Sequence, residues 1–362
     1  MEQVKRIRWI DIAKAIGVII VLIYHACPEG YLKNFLWQMH MPFFAFLSGV
    51  VYNEKYSMNF KNLKKFLFKR IKTIYLPFIK YSLVFLIFHN LFYKIHFIGT
   101  INGNKIFEGV DYIKQIILIL TLGGGESLTG ALWYLIPLLE LEILFAIILL
   151  VSMHLGGIKK QAGITIIICI AIYFLLSNAS LPRNLSNAAR LLLFYCMGYY
   201  IKKYDLLEGS ICLSQKIFKF VGLFIIWGGI TIFSPSWQGT NLFLVAISAS
   251  AGIYCIVSFS QFISKYVCDI GIYILEYIGQ KTMVIVALHF LMYCFVKVIY
   301  VSVHNMDKEL IAEKEAICDF KWIGIYVLAG LIGSLFIDFI FEKIKKYLKM
   351  FVFSEKNLYL LK

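Results

Sequence analysis

Apolar runs of about 20 residues, long enough to cross a hydrocarbon layer of roughly 30 Å as α-helix, recur along the chain with short polar breaks between them. They predict ten spans, at 9–26, 35–52, 73–93, 131–153, 162–178, 188–201, 217–234, 241–263, 281–303 and 320–342. The fold class that follows is all-α, a polytopic membrane helical bundle without an appended soluble domain. Residues 1–345 form the embedded unit and 346–362 a short basic tail. The first run follows Lys5, Arg6 and Arg8 as a secretory signal would. Asp11 and Lys14 interrupt it, however, and no small-residue cleavage site follows, so it reads as a retained first helix. Between the third and fourth spans lies the longest connection, which contains INGNK and GGGES. Its residues 113–122 read as an apolar helix too brief to cross, either re-entrant or interfacial. At 59–72, Phe and Leu alternate with Lys and Arg at helical spacing, which suits a helix on the inner leaflet or one facing a ligand.

Composition agrees with this pattern: 60% of the 362 residues are apolar and mean hydropathy is +0.77, far from a water-soluble chain. The lipid bilayer is the expected surrounding, in a multi-pass cell-membrane protein. A net charge of +15 could signal nucleic acid, but about two thirds of the Lys and Arg residues fall in alternate loops on the side of the N-terminus. That asymmetry is the positive-inside pattern, so the charge reports orientation, with both termini cytoplasmic and no nucleic-acid partner. The eight cysteines form no CxxC pair or zinc-ligand spacing, so no metal is expected. Cys27 and Cys318 fall in outer loops, where they either pair or stay free thiols.

Ionisable groups inside spans cost roughly 2.5–3.5 kcal/mol each on insertion, so each needs a reason. Lys14 and His25 share a face of the first span, about 16 Å apart along the axis, with Asp11 nearby. Asp11 either pairs with Lys14 or serves a site with His25. His40 opens the second span in QMHMPFFAFLSG and His289 lies within the ninth, so three membrane-depth histidines from separate helices can converge. Histidine supplies a base near neutral pH for a hydroxyl nucleophile, and Lys14, Trp133 or backbone amides are candidate donors to a developing oxyanion. In LLELEIL, Glu140 and Glu142 point to opposite sides of one helix, so at most one serves a given site; the bland role for either is pairing with Lys80, Lys297 or Lys14. Lys80 and Lys297 could equally snorkel to an interface. Arg190 at the outer end of the sixth span suits a polar acceptor or a lipid headgroup.

The ordered motifs RIRWIDIAKAIGVIIVLIYH, FLWQMHMPFFAFLSG, KRIKTIYLPF, ALWYLIPLL, ARLLLFYCMGYY and IGQKTMVIVALH resemble the acyltransferase-3 family of integral membrane acyltransferases, particularly its fucose 4-O-acetylase-like branch. The resemblance covers nearly the whole chain. It places Lys14 where the wider family has Arg, with ten residues between it and the family histidine, His25. The same resemblance matches Ser48 and Gly49 to a Ser-Gly motif, Arg70 to a basic loop position, and Trp133 and His289 to later motifs. Ser48 and Gly49 also suit close helix packing.

The resemblance implies an acetyl-CoA or other short acyl-CoA donor on the cytoplasmic side and a carbohydrate acceptor, lipid-linked or not, in a cell-envelope or exopolysaccharide glycan. Lys64, Lys65, Lys69, Arg70 and Lys72 form a basic cluster suited to the phosphates of coenzyme A, or to anionic lipid. The expected activity is O-acetyl transfer, with His25 as base or acyl carrier and His40, Ser48, Trp133, Glu140, His289 and Arg190 along the acyl path or at the acceptor. A transporter or flippase of polar envelope precursors is the alternative, but it predicts an internal repeat that is not evident. A non-catalytic scaffold would leave the buried Lys and His residues without a purpose.

Overall fold

The computed structural model describes residues 7–359 except 101–102, 183, 208–212, 314–315 and 318. Cys318 thus lies outside the described residues, while Cys27 is buried. The described residues form helices and connecting turns without a strand. Helix α1 (Arg8–Ala26) and α2 (Tyr31–Val50) form the first hairpin, and α3 (Phe60–Arg70) turns its Leu63 and Phe66 inward. A π-turn (Ile71–Tyr75) joins α3 to α4 (Leu76–Ile87). The ring of Pro77 accounts for the widened turn, because it has no N–H to offer the carbonyl four residues back.

After the short α5 (His89–Lys94), the outer connection folds α6 (Gly109–Leu120) back along α4. Asn90 exchanges hydrogen bonds with the backbone of Phe107 at one end (2.8 and 2.9 Å). Tyr75 donates its hydroxyl to the Leu120 carbonyl at the other (2.7 Å). These anchors run α6 antiparallel to α4 for about 18 Å. The chain returns through GGGES and a 3-10 turn (Ser127–Tyr134). His89 ties the return, bridging the Glu126 carboxylate (2.8 Å) and the Lys105 carbonyl (2.9 Å).

Helix α7 (Leu135–Leu176) contains two of the expected spans, broken at Gly157, whose φ of 56° lies in the left-handed region that glycine tolerates. Then follow α8 (Leu185–Lys203), α9 (Leu213–Phe233), α10 (Leu242–Tyr266), the short α11 (Asp269–Gln280), α12 (Thr282–Val303) and α13 (Ile323–Leu328). A second π-turn (Ala329–Gly333) leads into α14 (Ser334–Tyr359). All ten expected spans fall on helices, and among the described residues seven are long and apolar enough to cross a membrane by that measure alone. The other three are α2, α8 and the bent α4–α5 segment. Helices α2 and α8 pack on each other in the interior, α2 also against α1 and α10, and burial there frees them to carry polar side chains lipid would reject.

The α2–α8 crossing depends on two glycines. A Cβ on Gly49 would stand 2.0 Å from the Tyr195 carbonyl oxygen, and one on Gly198 would stand 2.1 Å from that of Phe46. The small residue of the Ser-Gly pair is therefore a packing residue, while Ser48 beside it is half-buried.

Candidate active site

Three helices bring histidines together. The His25 and His289 rings lie 5.3 Å apart between centroids, and Phe290 packs edge-on to His25 at 4.8 Å. Tyr24 links the third: its ring stacks on His40 at 4.8 Å and meets His25 at 4.8 Å. Behind them, Gly330 in the second π-turn lets α12 and the last span close on one another, with room for a Cβ only 2.9 Å from Tyr293 and 3.4 Å from His289. Tyr293 donates to the Leu22 carbonyl (2.7 Å), which locks α12 to α1 one turn before His25. The connection between α12 and α13 caps this end, with the Ala316 N–H bonded to the His25 carbonyl (3.1 Å).

Hydrogen-bond partners assign the tautomers. His40 places Nδ1 on the Leu36 carbonyl (3.1 Å) and His289 places Nδ1 on that of Val286 (3.0 Å). A carbonyl accepts only, so Nδ1 carries the hydrogen in both rings. Their Nε2 atoms are buried without a protein partner, as is His25 Nδ1. Such atoms are costly to bury, by about 1–3 kcal/mol each, and mark a place where a further polar group belongs. Gln38, one turn before Met41, buries both amide atoms in the same state.

Other expected residues lie elsewhere. Asp11 and Lys14 pair with each other at 3.2 Å, and Lys14 remains 36% exposed. On the continuous α1 they stand about 21 Å and 16 Å along the axis from His25, so neither touches it here. The neighbours of His25 are aromatic rings rather than a carboxylate. Trp133 stacks at 6.4 Å on Trp237, whose carbonyl accepts from Arg190 (3.3 Å). Arg190 also donates to the Ser177 carbonyl (2.9 Å) and the Asn178 side chain and is buried, so it clamps two outer turns rather than meeting a lipid headgroup. Lys297 is buried too, with its ammonium on the Glu313 carbonyl, which replaces the expected snorkelling. Glu140 is half-buried on the opposite side of α7 from Glu142.

The basic cluster divides. Lys64, Lys65, Lys69 and Lys72 are exposed, with Lys69 over the Tyr56 ring at 5.4 Å. Arg70 turns into the bundle and pairs with Glu142 at 2.6 Å, the two side chains being 15% and 1% exposed. This pair was not foreseen: Glu142 was expected to meet Lys80, Lys297 or Lys14. Its signal was the presence of KR and LELE in separate apolar contexts, and the contact between α3 and α7 that joins them is not encoded by spacing. Tyr24 and Lys33 also went unmarked. Lys33 is buried at the α1–α2 turn, paired with Glu29 at 2.7 Å and 5.5 Å from the Tyr24 ring.

Residues 7–342 match the family described as the acyltransferase domain, acyltransferase-3. The chain belongs to that family. No curated protein and no solved structure matches it. The acyltransferase-3 match extends from the start of α1 into α14, so the histidine centre, the Arg70–Glu142 pair and the lysine face all belong to one acyltransferase domain, and the protein is a multi-pass membrane acyltransferase.

Proposed function

We propose that this acyltransferase moves an acetyl group from acetyl-CoA to a hydroxyl of a sugar in a cell-envelope or exopolysaccharide glycan. The observation that carries the reading is the meeting of His25, His40 and His289 inside the helix bundle, where His25 buries Nδ1 without a partner and its two neighbours are oriented by their own helices with Nε2 left as an acceptor. A sugar hydroxyl is a poor nucleophile at neutral pH and requires a base in that state.

In the proposed step His25 takes the hydroxyl proton while the oxygen attacks the thioester carbonyl. The C–O bond forms, the C–S bond breaks, and coenzyme A leaves as a thiolate that acquires a proton to become the free thiol. His289 and Tyr24, in ring contact with His25, hold its imidazole in place. The exposed lysines of α3 bind the donor's phosphates from the cytoplasmic side by charge-assisted hydrogen bonds. Acetyl is the expected group and the cell membrane the expected location, with both termini cytoplasmic.

The test is transfer of radiolabelled acetyl from acetyl-CoA to envelope glycans in membranes holding the wild-type protein or His25→Ala at matched abundance. Label that depends on His25 supports the reading. Equal label from both removes His25 from the mechanism, and none from either removes acetyl-CoA as donor.

A further inference from the structure

The Arg70–Glu142 pair is an unusual use of charge. Arg70 ends α3, directly after the exposed Lys69 and two residues before the exposed Lys72, yet its guanidinium leaves that basic face to meet a carboxylate that is 1% exposed. Desolvating two ions costs several kcal/mol each, so a pair of this kind earns little stability over apolar packing. Its consequence is electrostatic instead. Glu142 converts the one arginine that points inward from the donor face into a neutral unit.

The surroundings show what lies inward of that unit. Tyr52, Phe66, Tyr134, Phe145 and Tyr195 belong to one buried cluster around the pair, with Arg70 over the Phe66 ring at 4.9 Å. From Glu142, α7 leads in two turns, about 12 Å, to Tyr134, whose hydroxyl donates to the Met41 carbonyl (3.0 Å) beside His40. On the proposed reading, an acyl group carried inward from the lysine face would pass this compensated ion pair and the aromatic rings and tyrosine hydroxyls around it. The cation nearest the lysine face, Arg70, is the one that Glu142 matches.

We propose that Glu142 is a specificity-determining residue that restricts the donor to uncharged short acyl groups and rejects those ending in a carboxylate, such as succinyl or malonyl. This rests on the reading that an acyl-CoA enters from the α3 face. A carboxylate-bearing acyl group would have to shed its hydration without finding a cation, and would face the Glu142 charge as well. Freed of Glu142, Arg70 would offer a guanidinium that matches a carboxylate in shape and charge.

The experiment compares acetyl-CoA and succinyl-CoA as radiolabelled donors for purified wild type, Glu142→Gln, Arg70→Gln and the double variant, each shown to elute as a single species from detergent. For wild type, acetyl transfer exceeds succinyl transfer. Glu142→Gln raises the succinyl-to-acetyl ratio by about tenfold or more, the scale of one recovered ion pair, and the double variant returns the ratio toward wild type. Loss of Glu142→Gln as a folded species, with the double variant folded and selective for acetyl, also supports the proposal, because the harm then comes from the uncompensated guanidinium. Ratios equal across all four proteins overturn it, as does a wild type that prefers succinyl or a double variant that is folded but inactive with both donors. A wild type that transfers from neither donor counts instead against the acyl-CoA reading.

Discussion

The histidine centre and the Arg70–Glu142 pair handle the cost of polarity in a bilayer in opposite ways. At the pair, each charge meets its counter-charge at 2.6 Å, and the remaining surroundings are aromatic. At the histidine centre, His40 and His289 satisfy one nitrogen each within their own helices and leave the other unmatched. The pair is balanced in charge although Arg70 Nε and Glu142 Oε2 meet outside hydrogen-bond geometry, whereas the histidine nitrogens face no counterpart in the protein alone. Chemistry is expected where a counterpart is withheld, and selection or positioning where charge is balanced.

The strongest way to break this comparison is to remove the unfinished side. His25→Ala is expected to lower acyl transfer by about 10² to 10⁴, the usual contribution of a positioned base, with little change in thermal unfolding of the detergent-solubilised protein. His289→Ala should cost less activity than His25→Ala, because the His289 ring is bound to its own helix and acts on its neighbour. A pronounced loss of stability in His25→Ala, rather than of activity, would turn the centre into a packing feature.

The compensated side predicts the reverse order of effects. Arg70→Met alone leaves Glu142 buried without a partner and should destabilise by about 3–5 kcal/mol, while Arg70→Met combined with Glu142→Leu should recover most of that. Thermal unfolding of the single and double variants checks this, and additive losses would show that the two side chains do not act as a unit. Somewhat smaller, Gly49→Ala places a Cβ 2.0 Å from the Tyr195 carbonyl and should destabilise by about 1–3 kcal/mol or more through separation of α2 from α8. Its activity loss should follow its stability loss, unlike that of His25→Ala.

Much of the fold was legible because bilayer physics constrains it: long apolar runs must be helical, and each of the ten expected spans falls on helix for that reason. The site was legible in part. His25, His40 and His289 stood out because imidazoles at membrane depth are rare, and their convergence needed only that three helices share a neighbour. The partners of Asp11 and Lys14 followed from i, i+3 spacing alone. What stayed hidden depends on backbone irregularity and long-range contact. The Arg70–Glu142 pair joins the end of α3 to α7, and the Arg190 clamp is closed by carbonyls from two distant turns, contacts that no residue pattern records. The tail at 346–362 continues as helix through Tyr359, since charged side chains at helical spacing are compatible with helix outside the bilayer as well as with coil.

The smallest expected effect tests the division of the basic cluster. If Arg70 is turned inward and the lysines alone face the donor, Lys65→Ala, Lys69→Ala and Lys72→Ala should each raise the KM for acyl-CoA by roughly two- to fivefold and leave kcat nearly unchanged, because exposed charges in water contribute up to about 1 kcal/mol. The rise should shrink as salt is added, since the Debye length falls from about 10 Å at 0.1 M to about 3 Å at 1 M. Arg70→Gln should differ in kind: its effect should persist at high salt, because its charge is held within the bundle where ions do not screen it. An Arg70 effect that disappears with salt in step with the lysine effects would place its guanidinium on the surface with them and remove the contrast between the two regions at its inner end.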